Sequence, residues 1–237
     1  MYFHNRAQAG RMLAKRLTQY SHENTVVLAL SPGAVIVGAQ IAMQIHANLM
    51  LLLTENIYLP GETDALAAMS SAGTFSYNNM FTPGQLEEMV SEYQHYIDEK
   101  RIEKFREINR IMGKDGEIHK ELLRHHVVIL VSDGLANGFS IDIAADYLKR
   151  VVIKRLVIVS PLASIPAVDR MHLAGDELHC LSVTPNYMFT DHYYDDNTIP
   201  GVPDLLRVIK AISIHWQHDH NSGEVTLDSL KSVSAGA

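Results

Sequence analysis

Apolar positions follow two different periods along the chain. Residues 26–30 form a short continuous apolar run, closed by the turn signal Ser31-Pro32-Gly33. Apolar residues then recur at helical spacing from about 34 to 46, and residues 49–53 form a second run. Two strand-length runs separated by a turn and a helical pattern predict one βαβ unit. The pattern returns with a strand at 127–131, a turn over 132–139, a helix over about 140–150 and a strand at 156–160. A third round predicts a helix near 165–173 and a strand near 177–183. Near-continuous apolar strands that alternate with helices read as a parallel sheet covered on both faces, so the expected class is α/β.

Two further helices lie outside this repeat. Residues 5–20 carry Ala9, Met12, Leu13 and Leu17 at helical spacing, which predicts an amphipathic helix with its basic residues on the other side. From Thr82-Pro83-Gly84 a long helix is expected to run to Met112, with Glu103, Glu107, Lys100, Lys104, Arg106 and Arg110 making a mixed solvated surface. The stretch 56–81 is rich in Gly, Ser, Thr, Asn and Pro and fits either a strand pair or a flexible loop. No linker divides the chain. One domain over 1–220 is expected, with the helix at 84–112 as an insertion and 221–237 as a disordered tail.

Composition agrees with a globular protein: 47% of the 237 residues are hydrophobic and 20% are charged, which excludes a disordered or fibrous chain. Residues 24–54 contain no Asp, Glu, Lys or Arg, and the run would register as a membrane span. Pro32-Gly33 breaks that run, and Gln40, Gln44, His46 and Asn48 interrupt it, so a buried strand, helix and strand account for it better. The first ten residues lack the apolar stretch of a signal peptide. A single cysteine, Cys180, excludes an intramolecular disulfide framework and a multi-cysteine metal site, and a reducing, cytoplasmic location is expected.

Charge changes the picture through its distribution. The net charge is −7, yet the 83 residues between Arg16 and Lys100 hold no Lys or Arg and nine acids. With no broad basic face, nucleic acid and anionic membrane are poor partners; a small phosphorylated or nucleotide ligand is the expected one. An apolar helix face makes a homodimer a further expectation.

In open parallel sheets ligands bind beyond the carboxyl ends of strands, so the turn after residues 127–131 is the place to look for chemistry. It reads Ser132-Asp133-Gly134-Leu135-Ala136-Asn137-Gly138-Phe139-Ser140. Two glycines allow a tight backbone, and the amides of 136–140 then open a helix, presenting N–H groups and a positive dipole end to an anion such as a phosphate monoester. The same residues also fit a plain strand-to-helix connection with Ser140 as N-cap.

This segment resembles the phosphoribosyl pyrophosphate (PRPP) motif of the type I phosphoribosyltransferases: four apolar residues, two acids and a loop containing Thr-Gly. Residues 3–17 are similar to the N-terminal helix of a bacterial subgroup of predicted phosphoribosyltransferases. Residues 28–42 are similar to its first strand, pyrophosphate loop and helix, Leu59-Pro60-Gly61-Glu62 to a turn, and residues 160–164 to a late strand end. The resemblance covers about residues 3–210. It implies a parallel sheet flanked by helices with a small hood, and Mg²⁺ only if transfer from PRPP is retained.

Departures from the family pattern bear on activity. The first motif acid is replaced by Ser132, leaving Asp133 as the remaining ribose-binding acid, and the loop threonine is replaced by Asn137. The pyrophosphate loop reads Ser31-Pro32-Gly33-Ala34 without the subgroup's arginine, and the family's Arg-Lys pair is Glu55-Asn56. Each lost cation or donor costs about 3–4 kcal/mol of transition-state stabilisation. The resemblance thus implies a retained phosphate turn with reduced or lost transferase activity and a regulatory or binding role. The alternatives are an active transferase whose missing groups come from elsewhere, such as Arg6 or Arg11, and a different enzyme on the same scaffold.

Other signals are weaker. His215, His218 and His220 with Asp219 fit no defined zinc spacing and read as a solvated helix end. His125-His126 reads as a capping or surface pair, and Cys180 as a small buried hydrophobe. Tyr193-Tyr194 fits either a base-stacking hood or ordinary packing.

Overall fold

The structure, a computed structural model, describes residues 1–219 apart from 63, 114, 115 and 117, with side chains to residue 213. The elements run α1 (Arg6–Ala14), β1 (Thr25–Ala29), α2 (Pro32–Ile45), β2 (Asn48–Leu51), β3 (Thr54–Tyr58), β4 (Ala65–Ser70), β5 (Phe75–Tyr77) and α3 (Pro83–Met112). They continue with β6 (Val127–Val131), α4 (Phe139–Leu148), β7 (Arg155–Ser164), α5 (Ile165–Ala174), β8 (Glu177–Thr184) and α6 (Val202–Asp219).

The expected α/β architecture is the one observed. Five strands pair in the order β2-β1-β6-β7-β8, every pair parallel, in a register that sets Leu28 beside Leu130 and Val131 beside Val159. Because strand side chains alternate, each continuous apolar run serves two cores. Val27, Ala29, Ile129, Val157 and Val159 face α1, α2 and α6 through Leu13, Val37, Ile41 and Leu205. Val26, Leu28, Val128, Leu130 and Ile158 face α4 and α5 through Ile141, Ala144, Ala167 and Met171. From β1 the chain crosses to β2 by α2 on one face, and from β6 to β7 by α4 on the other. The carboxyl ends of β1 and β6 therefore flank a topological switch point, where a crevice opens in such sheets.

Four sequence expectations are corrected. The first helix ends at Ala14, and a 3-10 turn over Thr18–His22 follows, because this turn buries both Leu17 and Tyr20 against α2. Nor are all its basic residues on the outer side: Arg6 lies on the buried stripe with Ala9, Gly10 and Leu13. The stretch 56–81 belongs to a three-stranded antiparallel sheet, β3-β4-β5, rather than a strand pair or a flexible loop. Cys180 is only partly buried, since it lies on β8, the edge strand of the sheet. The long helix is present as expected, from a Thr82–Gln85 capping box to Gly113, with non-helical backbone at Tyr93. The readings of His215, His218, His220 and the tail 221–237 fall outside the described side chains and residues.

Candidate functional site

Ser31 closely follows β1 and caps α2, accepting a hydrogen bond from the Ala34 amide at 3.0 Å, with Pro32 in the first turn. Its hydroxyl donates to Asp133 Oδ1 at 2.7 Å, so the loops after β1 and β6 are joined across the switch point. Gly33 is required there: a Cβ would stand 2.0 Å from Asp133 Oδ2 and 2.6 Å from Arg6 Nε. The Asp133 carboxylate thus rests on the first turn of α2, where open amides and the helix dipole favour an anion.

Arg6 holds that carboxylate. Only 3% exposed, it donates from Nε to Asp133 Oδ2 at 2.7 Å, from Nη1 to Asn197 Oδ1 at 3.1 Å and from Nη2 to Asp191 Oδ1 at 2.5 Å. Its guanidinium lies 4.6 Å from the centre of the Tyr194 ring, and the Tyr194 hydroxyl donates to the Asp133 carbonyl at 2.6 Å. Burial, with Asp133 adding to it, pushes the Tyr194 hydroxyl far above the ordinary tyrosine range; burial also pushes Tyr187 up to about 12. Both stay neutral at physiological pH. Arg11, the other candidate replacement, is exposed on α1.

The turn 133–140 is anchored to β7 on one side and lies under Tyr187 and Thr190 at Gly134. Leu135 donates to the Leu162 carbonyl and accepts from the Ser164 amide, and the Ser164 hydroxyl donates to the Ala136 carbonyl. Ser132 exchanges hydrogen bonds with Gly134 and so shapes the turn. Gly138 sits at φ 74°, in the left-handed region that favours glycine, and is the N-cap of α4. Ser140 is therefore inside the helix rather than its cap, because the Asn137 carboxamide already accepts from the Phe139 amide at 3.1 Å. Phe139 is buried against Ala65, Ala68 and Ile143. No backbone acceptor pairs with the amides of Ala136, Asn137, Gly138 or Ser140 among the described residues. Behind the turn, Arg170 packs on Gly138 and pairs with Asp142, whose carboxyl burial raises against the pull of that guanidinium. Such a turn can hold one phosphate group by backbone donors alone.

The remaining sequence candidates go elsewhere. Glu55 and Asn56 lie on β3, in a groove of about 460 Å³ that β3 forms with α3. Glu55 is paired there with Lys104 at 3.4 Å, and the Asn56 amide donates to the Tyr58 hydroxyl. Tyr193 and Tyr194 are both buried and pack with Phe3, which favours the packing role over an exposed base-stacking one. His125 is exposed and His126 half-buried, consistent with a surface pair. Among the described residues with side chains, no group of three His, Cys, Asp or Glu is placed to hold a metal ion. No described helix is long and apolar enough to cross a membrane.

The sequence underplayed Arg6, Asp191 and Asn197. A signal for Arg6 was available: it stands three, four and seven residues before Ala9, Gly10 and Leu13, a charge on the apolar stripe. Asp191 lies beside the tyrosine pair of the hood-like segment, which marks the region but not its bond to Arg6; Asn197 carried no signal, because it reaches the site only through the path of residues 185–201.

Comparison with known proteins supports the family resemblance. No family model matches the chain. It is 28% identical over 193 residues to a Mycobacterium tuberculosis protein whose name carries phosphoribosyl transferase as a provisional assignment. The match takes in 79% of this chain but 41% of the mycobacterial one, so the chain spans about two fifths of that relative's length. Among solved structures it is similar to TT1426 from Thermus thermophilus, at 26% identity and a TM-score of 0.63, covering 88% of this chain and 98% of the other. A purine phosphoribosyltransferase from Pyrococcus horikoshii is a more distant match, at 11% identity and a TM-score of 0.45 over 81% of this chain and 90% of the other.

Proposed function

We propose, from this similarity to proteins named as phosphoribosyl transferases, that the chain is a phosphoribosyltransferase-like binding protein. It holds a phosphate monoester, such as ribose 5-phosphate or a nucleoside monophosphate, in the turn 133–140, and its transfer from PRPP is reduced or lost. The observation that carries this reading is the engagement of Asp133. The remaining motif acid is bound by Arg6 and Ser31 and pressed on Gly33, so it is not free to take ribose hydroxyls. Releasing it would leave a buried charge without its partner, at a cost of about 3–5 kcal/mol. The loop 31–34 supplies no cation of its own for a departing pyrophosphate.

The residues present do not fit a resident Mg²⁺. Both Asp133 oxygens are already hydrogen-bonded, one of them to a guanidinium, and Ser132 replaces the first motif acid. The phosphate turn does not depend on these losses, because its donors are main-chain amides.

Melting and calorimetric titrations with ribose 5-phosphate, nucleoside monophosphates and PRPP with Mg²⁺ test the proposal. The monoesters should stabilise the fold, by about 2.7 kcal/mol at a hundred times the dissociation constant. Release of pyrophosphate from PRPP that depends on an added acceptor base would overturn it in favour of an active transferase.

A further inference from the structure

Arg6 is buried at the switch point, yet its three hydrogen bonds are of unequal kind. Nε serves Asp133, which is itself nearly enclosed. Nη2 instead serves Asp191, whose side chain is 57% exposed and stands on the irregular segment between β8 and α6. One guanidinium therefore faces two carboxylates, and only the exposed one can leave without stranding a buried charge. The guanidinium stays fixed meanwhile, stacked on Tyr194 and bonded to Asn197.

We propose that Asp191 is an internal stand-in for a ligand oxyanion: a phosphate or diphosphate group displaces it from Arg6. The inference rests on reading the switch crevice as an oxyanion site, and it deepens that reading by naming the cation that receives a second anionic group. In sequence the loop 31–34 lacks a cation; in space Arg6 Nε lies 2.6 Å from where a Gly33 Cβ would be, so α1 brings a cation to that loop. A guanidinium suits the role, since its fork can exchange one carboxylate oxygen for a phosphate oxygen without losing its other bonds. Departure of Asp191 would also remove one of the ties on the 3-10 turn Thr190–Tyr193, which stays held by its backbone bond to Phe3.

Calorimetric titration of the full chain with inorganic pyrophosphate and, separately, with ribose 5-phosphate distinguishes the outcomes. Asp191→Asn should bind pyrophosphate about tenfold more tightly than wild type, since it removes the competing charge and keeps the side-chain shape. Asp195→Asn, an exposed neighbour with the same change in net charge, should leave affinity unchanged. Arg6→Lys, which keeps the charge beside Asp133 but not the fork, should weaken pyrophosphate and leave ribose 5-phosphate unaffected. Equal pyrophosphate affinities for wild type, Asp191→Asn and Asp195→Asn would overturn the inference. Failure of ribose 5-phosphate to bind any of them would instead overturn the phosphate-turn reading, with the pyrophosphate series still deciding the role of Asp191. Because Asp191→Asn alters an exposed side chain, the test does not depend on whether Arg6→Lys folds.

Discussion

Gly33 shows how much of the site depends on one missing methyl group. Asp133 Oδ2 fills the space a Cβ would need, at 2.0 Å, and neither Asp133 nor Arg6 can retreat without breaking the bonds that fix it. Gly33→Ala is therefore expected to destabilise the fold by about 1–3 kcal/mol, the range of overpacking in a close-packed region. Denaturant unfolding would measure this, and an unchanged midpoint would show that Asp133 can rotate away. Asn137 teaches a related lesson. As a replacement for the family's threonine it reads as a loss, but in the fold its carboxamide accepts from the first amide of α4. The function of such a residue is set by its nearest amide, which sequence spacing alone does not show.

Among the elements, the strands were the most legible. The run at 127–131 predicts β6 to the residue, because a central strand with both faces buried leaves no polar position to blur its ends. The antiparallel sheet at 54–77 was the least legible: its strands are short, and β3 carries partly exposed polar positions. At the amino ends of the main sheet, Glu23 just before β1 pairs with Lys154 just before β7 at 2.6 Å, and Arg155 lies 3.6 Å away. The Lys154 hydrogen bond holds the Glu23 carboxyl below its ordinary value of 4.5. A carboxyl depressed by folding adds stability above its unfolded value, and that contribution is lost as pH falls through the folded one. Between neutral pH and pH about 3, Glu23→Gln should thus lose less melting temperature than wild type, a difference that circular dichroism can follow. Parallel curves would show that the pair contributes nothing.

At the scale of the whole molecule, the first residues clasp the late ones. Phe3 donates to the Tyr193 carbonyl and accepts from the Asp195 amide, the Asp196 amide donates to the His4 carbonyl, and Phe3 stacks on Tyr194. With Arg6 reaching Asp191 and Asn197, residues 3–6 form a strap on the segment 190–197, which also reaches Asp133 through Tyr194. Phe3→Ala is expected to cost about 3–5 kcal/mol of stability, as for other buried aromatics. It should also make residues 185–201 the first site of limited proteolysis; unaltered protection there would mean that the Phe3 ring does not hold the segment.

The sequence by itself determined the order of strands and helices in the main sheet, the parallel α/β class and the turn at 133–140, since burial of apolar runs and glycine geometry are local properties of the chain. It also revealed the 83-residue stretch without Lys or Arg. Only the tertiary structure decided what that stretch means. Lys104 folds back from α3 onto Glu55, and Arg6 arrives from α1 beside Gly33, so cations remote in sequence partly fill the gap in space. Charges act through distance in three dimensions, and the approach of residue 6 to residues 133 and 191 exists only once the sheet has been formed and the strap laid across it.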